Sequence, residues 1–335
     1  MTRGLVIGKF YPPHRGHKFL IETALRAVDH LDVLICVLPD QAISGDLRQC
    51  WLQELHPAAN VMQIEDIGDD DNSEVWAAYT KRILGLSPDL VFTSEGYGDA
   101  YARFLGCRHI LVDRERHQVP ISGTRIRSNP LAYWDFLEPC VRAHFAKRIC
   151  VVGAESTGTT TLAQDLANHF ETVWVPEYGR EYCEKLAASG VDLWNYRWKS
   201  SEFTIIARAQ VELEQKMARE ANRLLICDTD AFATSIWHER YMGSRSPEVD
   251  AIAASQSDRL YLLTDCDTPF VQDGLRDGEG LRTWMTDRFK EELTQRKHQW
   301  MKVSGTRAQR MNSAIQRIES FLTPRLQEII PSRKH

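Results

Sequence analysis

The chain lacks paired cysteines, a long apolar run and an excess of either charge, and each absence removes a class of function. Its eight cysteines form no C-x-x-C pair, which argues against zinc ribbons and dithiol redox centres. Cys36, Cys150 and Cys227 sit in apolar strand-like runs, so buried reduced thiols are expected. No stretch reaches the ~18 apolar residues of a membrane span. The chain enters its first strand without a signal-peptide pattern, and a cytoplasmic protein with no membrane attachment is expected. A net charge of −5 over 335 residues offers no basic surface for bulk nucleic acid. Of the histidines outside the motif described next, none has metal-ligand spacing, and His30, His56, His169 and His298 read as surface residues or helix caps.

What is present begins with Leu5-Val6-Ile7, a short buried strand, followed by Gly8-Lys9-Phe10-Tyr11-Pro12-Pro13-His14-Arg15-Gly16-His17. A Pro-stiffened loop leads into a helix opening near His17, with Phe19, Leu20, Ile21 and Leu25 at helical spacing. His14 and His17 then lie about one turn apart at a helix N-terminus, where unpaired N–H groups and the dipole favour an anion. Two imidazoles able to donate, with Gly16 allowing close approach, make a cradle for a polyphosphate. With 11 His and 19 Gly, His-x-Gly-His should arise by chance about 0.02 times in this length.

Short apolar runs alternate with amphipathic stretches throughout, the pattern of parallel α/β architecture. Strands are expected at Val33–Val37, Val61–Ile64, Leu90–Phe92 and His109–Val112, and helices at Asp46–Leu55, capped by Asp46, and Glu74–Leu84. Asp69-Asp70-Asp71 lacks the spacing of a calcium loop and reads as solvated charge. Thr93-Ser94-Glu95-Gly96-Tyr97-Gly98 follows a strand, where an open α/β sheet binds its ligand. Further on, Ser122 and Thr124 offer hydroxyls at a second helix start, and Arg125 and Arg127 supply permanent charge, making a second phosphate cradle.

The first motif resembles the G-x-F-x-P-x-H-x-G-H signature of the nucleotidylyltransferase superfamily, and Ser122, Thr124 and Arg127 match its I-S-x-T-x-x-R motif. Narrower features are Ser94-Glu95-x-Tyr97-Gly98, Val112-Asp113-x-Glu115-Arg116 and Ile121 to Pro130. These resemble nicotinamide-mononucleotide adenylyltransferases of the two-domain type joined to a ribosylnicotinamide kinase. The resemblance implies in-line attack of the mononucleotide phosphate on the α-phosphorus of ATP, with Mg2+ bridging phosphate oxygens. It implies catalytic roles for Lys9, His14, His17 and Arg127, and ATP or phosphate contacts for Gly8, Phe10, Gly16, Ser122 and Thr124. Glu95, and Trp76 or Tyr97 stacked on the ring, would meet the substrate, although such aromatics are more often core.

The second half restarts with a strand, Ile149-Cys150-Val151-Val152, then Gly153-Ala154-Glu155-Ser156-Thr157-Gly158-Thr159-Thr160-Thr161 and a helix to Phe170. Strand, Gly-rich loop and helix make a P-loop context, yet Thr159 stands where the phosphate-binding lysine belongs. Two glycines at this spacing arise by chance about once in a chain with 19 of them, so placement and hydroxyl content carry the reading. Leu224 to Asp230 is an apolar strand ending in aspartates. By resemblance to nucleoside kinases, Glu177 meets the sugar hydroxyl, Tyr178 and Asp230 contact substrate, and Asp228 with Thr160 holds Mg2+. Gly153, Ser156, Gly158, Thr159, Thr160, Thr161 and Arg276 would contact phosphate. Ser304-Gly305-Thr306 resembles an adenine-facing loop. Phe203 to Ala221 reads as an amphipathic helix that only covers the core.

The expected architecture is a Rossmann-like nucleotidylyltransferase domain over residues 1–144 followed by a P-loop kinase-like α/β domain over residues 147–331. The expected enzyme makes NAD from ATP and nicotinamide mononucleotide. Three fates stay open for the second domain: phosphorylation of nicotinamide riboside with Arg276, Arg282 or another basic residue replacing the lysine, nucleotide binding without turnover, or a structural role. Rivals are a phosphopantetheine adenylyltransferase joined to a dephospho-coenzyme A kinase, and a nucleotide-sensing regulator. The short lead before the first strand predicts no helix-turn-helix and no nucleic-acid partner; homo-oligomerisation stays open.

Overall fold

The computed structural model describes residues 1–68, 72–256 and 258–323. The predicted aspartate loop at Asp69–Asp71 and the expected domain end at residue 331 lie outside them. The chain forms two compact units, Met1–Val141 and a second from Arg142 onward, each built on its own sheet.

In the first unit, β1 (Arg3–Gly8), β2 (His30–Val37), β3 (Asn60–Glu65), β4 (Leu90–Thr93) and β5 (Arg108–Leu111) pair in parallel in the order β3-β2-β1-β4-β5. Alternate residues of β1 serve opposite faces: Val6 packs with Leu20 and Ile21, whereas Leu5 and Ile7 pack with Leu34 and Tyr101. A strand buried on both faces reads as a continuous apolar run, which is why it was visible in the sequence. The strand order reverses at β1, so the crevice beyond the carboxyl ends of β1 and β4 is where such a sheet holds ligand.

The second unit pairs β6 (Lys147–Val152), β7 (Trp174–Val175), β8 (Leu224–Asp228), β9 (Arg259–Thr264) and β10 (Gln299–Val303) in parallel as β10-β9-β6-β8-β7. Central β6 feeds the Gly-rich loop into helix Thr159–His169, whose Leu162, Ala163 and Leu166 bury against Ile149 and Val151.

Local chemistry departs from the sequence expectation in three places. Helix Gly45–Leu55 is capped by Ser44, whose hydroxyl accepts the Leu47 N–H at 3.2 Å, and Asp46 falls in the first turn instead. His56 does cap that helix, but buried. The long helix spans Ser200–Met217 and buries Glu202, Gln210 and Glu214, so it is more than an apolar cover. All eight cysteines are free thiols, Cys36, Cys150 and Cys227 among the buried ones. Among the described residues no helix is long and apolar enough to cross a membrane.

Candidate active sites

His14 closes the start of helix Arg15–Leu25. Its backbone is extended and its Nδ1 accepts the N–H groups of Gly16 at 3.1 Å and His17 at 3.3 Å. Accepting at Nδ1 leaves the neutral ring's proton on Nε2. Burial, reinforced by the Arg116 charge, holds His14 down to about 4. Burial, then His14 and Arg116, keep His17 well below its ordinary value too. The two rings stack with centroids 3.7 Å apart, an arrangement suited to neutral imidazoles. The expected pair of donors is therefore narrower than the sequence implied, since one His14 nitrogen is an acceptor inside the cap. Gly16 suits this cap, because a Cβ there would lie 3.0 Å from the His14 ring and press on it.

The second cradle meets the first at Tyr11. Arg127 donates to the Tyr11 carbonyl at 2.5 Å and to Thr124 Oγ1 at 3.1 Å, with its guanidinium 5.0 Å from the Tyr11 ring centroid. A Cβ on Gly123 would lie 2.9 Å from that same carbonyl, so only glycine permits the approach. Ser122 caps helix Gly123–Ser128 through the Arg125 N–H at 3.3 Å. Arg125 itself turns away, stacking at 4.7 Å over Tyr133, and does not line the cavity. His14, Gly16, Ser122, Thr124 and Arg127 line one cavity; Gly8, Trp76 and Tyr97 line an adjoining one. Lys9, Phe10, His17 and Glu95 border both.

Of two further arginines at this site, Arg116 stands in a sequence motif without an assigned role, and Arg48 was missed. Arg116 pairs with Glu95 at 3.1 Å and borders the first cavity. Arg48 is fully buried and donates to the carbonyls of Lys9 at 2.5 Å and Cys36 at 3.2 Å, bracing the motif loop from beneath. Its signal was there: Arg48 shares a helix face with the apolar Trp51 and Leu52, three and four residues on.

In the second unit, Gly153, Ser156, Thr159, Thr160, Glu177 and Asp228 line one cavity, and Arg180 and Arg276 also border it. A Cβ on Gly153 would fall 2.1 Å from Thr264 Oγ1, so the loop's first glycine is obligatory. Thr160 Oγ1 donates to Asp228 at 2.5 Å. Burial pushes Asp228 up to about 6, and burial with the neighbouring Asp228 charge pushes Glu177 up to about 8. Gln210, from the long helix, accepts the Tyr178 N–H at 2.8 Å and donates to Pro176 at 3.3 Å, gripping the turn that carries Glu177.

The segment around Arg276 lies over the Gly-rich loop. Val271 N–H donates to Ser156 Oγ at 2.8 Å, and Gly278 N–H to Glu155 at 2.7 Å. Arg276 pairs with Asp273 at 3.3 Å and reaches Ser156 Oγ at 3.5 Å. Arg240, its side chain buried, ties Glu155 to Asp277. Arg282 instead donates to the carbonyls of Ser156 and Thr268, so it braces the loop and does not stand in for the lysine.

Five residues expected at substrate, phosphate or adenine lie outside the cavity lining. Tyr178 sits beside Lys185, outside the cavity lining. Asp230 is buried, caps helix Ala231–Met242 and accepts from Tyr261 at 2.7 Å, with Arg259 at 3.5 Å. Thr161 is exposed and outside the lining, as is Gly158, which takes a φ of 82° at the helix start. Thr306 caps helix Arg307–Leu322 and is not on the cavity.

These features define a two-unit α/β protein with a nucleotidyl-transfer type cradle in one unit and a P-loop in the other. The model of the AAA domain matches residues 148–310. The "Trifunctional NAD biosynthesis/regulator protein NadR" of Escherichia coli K12 is 32% identical over 299 residues, covering 82% of this chain and 72% of that protein. The protein of the same name from Salmonella typhimurium LT2 is 31% identical over 296 residues, covering 82% and 71%. A solved structure of NadR in complex with NR superposes with TM-score 0.80 at 19% identity over 97% of each chain. A second, with NAD and AMP-PNP, superposes with TM-score 0.76 at 20% identity over 97% and 98%. At that identity these structures establish the shared fold. The chain belongs to the NadR family.

Proposed function

We propose that the chain makes NAD by transferring AMP from ATP to nicotinamide mononucleotide, and that its second unit supplies the mononucleotide by phosphorylating nicotinamide riboside. The observation that carries the reading is the convergence of both phosphate cradles, more than a hundred residues apart in sequence, on cavities that also present Trp76 and Tyr97. A substrate phosphate oxygen bonds to the α-phosphorus as the bond to the bridging β oxygen breaks, and pyrophosphate leaves. No side chain becomes a nucleophile. His17 and the Nε2–H of His14 donate hydrogen bonds, Lys9 and Arg127 add charge, and catalysis is positioning plus charge stabilisation. Trp76 and Tyr97 hold the ring, and Glu95 completes that wall.

In the second unit the riboside hydroxyl oxygen attacks the γ-phosphorus and ADP departs. Glu177 takes up the hydroxyl proton, and an acid held near 8 is well matched to that task. Magnesium, when bound, neutralises phosphate charge and aligns the leaving oxygen. The hydroxyl of Thr160 and the carboxyl of Asp228, which meet at 2.5 Å, fit that ion as a ligand pair and would hold it. Loop N–H groups bind phosphate, and Arg276 supplies the charge that Thr159 cannot. Free thiols throughout fit a cytoplasmic enzyme.

The test is to incubate the protein with magnesium, ATP and nicotinamide riboside alone, and to follow both products by chromatography. Mononucleotide and then NAD are expected. NAD from added mononucleotide but nothing from riboside would reduce the second unit to a binder. No NAD from either would overturn the reading.

A further inference from the structure

Polar groups that neither motif accounts for, among them Asp66, Ser73 and Thr93, line the cavity bordered by Trp76 and Tyr97. Thr93, the last residue of β4, lines its wall. Behind Thr93 runs a chain of hydrogen bonds: Thr93 Oγ1 lies 2.9 Å from His109 Nε2, and His109 Nδ1 lies 2.7 Å from Asp99 Oδ1. Thr93 Oγ1 also lies 3.2 Å from the Glu95 carbonyl.

The polarity of this chain is fixed from its far end. A carboxylate only accepts, so His109 carries a proton on Nδ1. In the neutral ring Nε2 is then an acceptor, and the Thr93 hydroxyl donates its single hydrogen to it. If the ring is protonated, Nε2–H donates to Thr93, and the hydroxyl passes its hydrogen to the Glu95 carbonyl. In both states the hydrogen is used within the protein. What Thr93 offers to the cavity is a lone pair.

We infer that Thr93, oriented by His109 and Asp99, selects a substrate carrying a carboxamide over the same substrate carrying a carboxylate. This rests on the adenylyltransferase reading above. An amide NH2 donates to the lone pair. A carboxylate has no hydrogen to give and would set oxygen against oxygen. The formal charges on this cavity do not decide the matter, because each is paired: Lys9 with Asp66 at 3.4 Å, and Glu95 at 3.1 Å with Arg116, which borders the adjoining cavity. The packing around the Thr93–His109 end of the chain is tight, whereas Asp99 at the far end is exposed. A Cβ on Gly98 would fall 2.2 Å from His109 Nε2 and 2.5 Å from Thr93 Oγ1.

The experiment measures kcat/KM for nicotinamide mononucleotide and for its carboxylate counterpart, in wild type, Thr93→Val, Thr93→Ser and Gly98→Ala. Thr93→Val keeps the side-chain shape, and should reduce the amide-to-acid ratio by about ten- to a hundredfold, mostly through KM for the amide. Thr93→Ser keeps the hydroxyl and should keep the ratio. Gly98→Ala, whose methyl would press on both His109 and Thr93, should reduce the ratio by displacing that pair. If Thr93→Val changes both substrates equally, Thr93 is only structural and the inference fails. An unchanged ratio in Thr93→Val also overturns it. No product from either mononucleotide in wild type would overturn the adenylyltransferase reading, and this inference with it.

Discussion

The cavity of the first unit is floored by two imidazoles that burial keeps neutral, whereas the cavity of the second holds two carboxyls that burial makes harder to ionise, Asp228 raised to about 6 and Glu177 to about 8. The cause is the same, removal from water, but the chemistry that results is opposite. Neutral His14 and His17 donate hydrogen bonds to an anion without carrying charge. Asp228 and Glu177 form a site that becomes comfortable only when positive charge arrives. On the proposed function, one unit receives phosphate through donors already in place, and the other is completed by a cation and by Arg276.

The largest test of this division is to break one site and read both reactions. His17→Ala should lower adenylyl transfer by about 10²–10³ or more, the usual cost of one preorganised donor, and leave riboside phosphorylation unchanged. The fold should survive, because His17 Nδ1 is buried without a hydrogen-bond partner and its removal strands no neighbour. Asp228→Ala should do the reverse. Loss of both activities from either variant would mean that the two cavities do not act separately.

The second test sharpens the contrast in how charge is supplied. Arg276→Ala should lower riboside phosphorylation by about 10² while adenylyl transfer stays constant. Thr159→Lys in that background should recover part of the loss, since the lysine would enter the cavity that Arg276 left. Full kinase activity in Arg276→Ala would show that Arg180, the other arginine on this cavity, carries the role instead.

How far the sequence could be read follows the same division. Buried parallel strands announce themselves as apolar runs, and both phosphate cradles lie in short contiguous motifs, so Gly8 to His17 and Ser122 to Arg127 were legible. Residues that act from beneath a motif were not. Arg48 braces the Lys9 carbonyl from a helix thirty-nine positions on, and Arg240 joins the P-loop to the lid across distant segments. Nothing local distinguishes them from surface arginines except an apolar helix face around Arg48. Asp230 failed for the converse reason: an aspartate two positions past a strand looks like a ligand residue, but its side chain is taken by the Ala233 N–H and Tyr261.

The smallest effect, and the most direct reading of the contrast, is in stability against pH. His14 sits at about 4 in the folded chain against an ordinary 6.5, so between those values the unfolded chain binds a proton that the folded one refuses. Stability from this group is therefore present above 6.5 and lost as pH falls toward 4. Glu177 sits at about 8 against an ordinary 4.5, so the folded chain holds a proton that the unfolded one releases. Its contribution is complete below 4.5 and is lost as pH rises through 8. The ligand-free protein should thus be squeezed from both sides, by acid in the first unit and by alkali in the second. Glu177→Gln, which is neutral at every pH, should flatten the alkaline branch alone and raise Tm at pH above 8, by roughly 2–4 °C for each kcal/mol recovered. Magnesium with ATP should flatten the same branch in wild type, because the arriving charge lets the carboxyls ionise. Calorimetry across the pH range checks both, and an alkaline slope identical in wild type and Glu177→Gln would mean that the strain on the second cavity lies in another group.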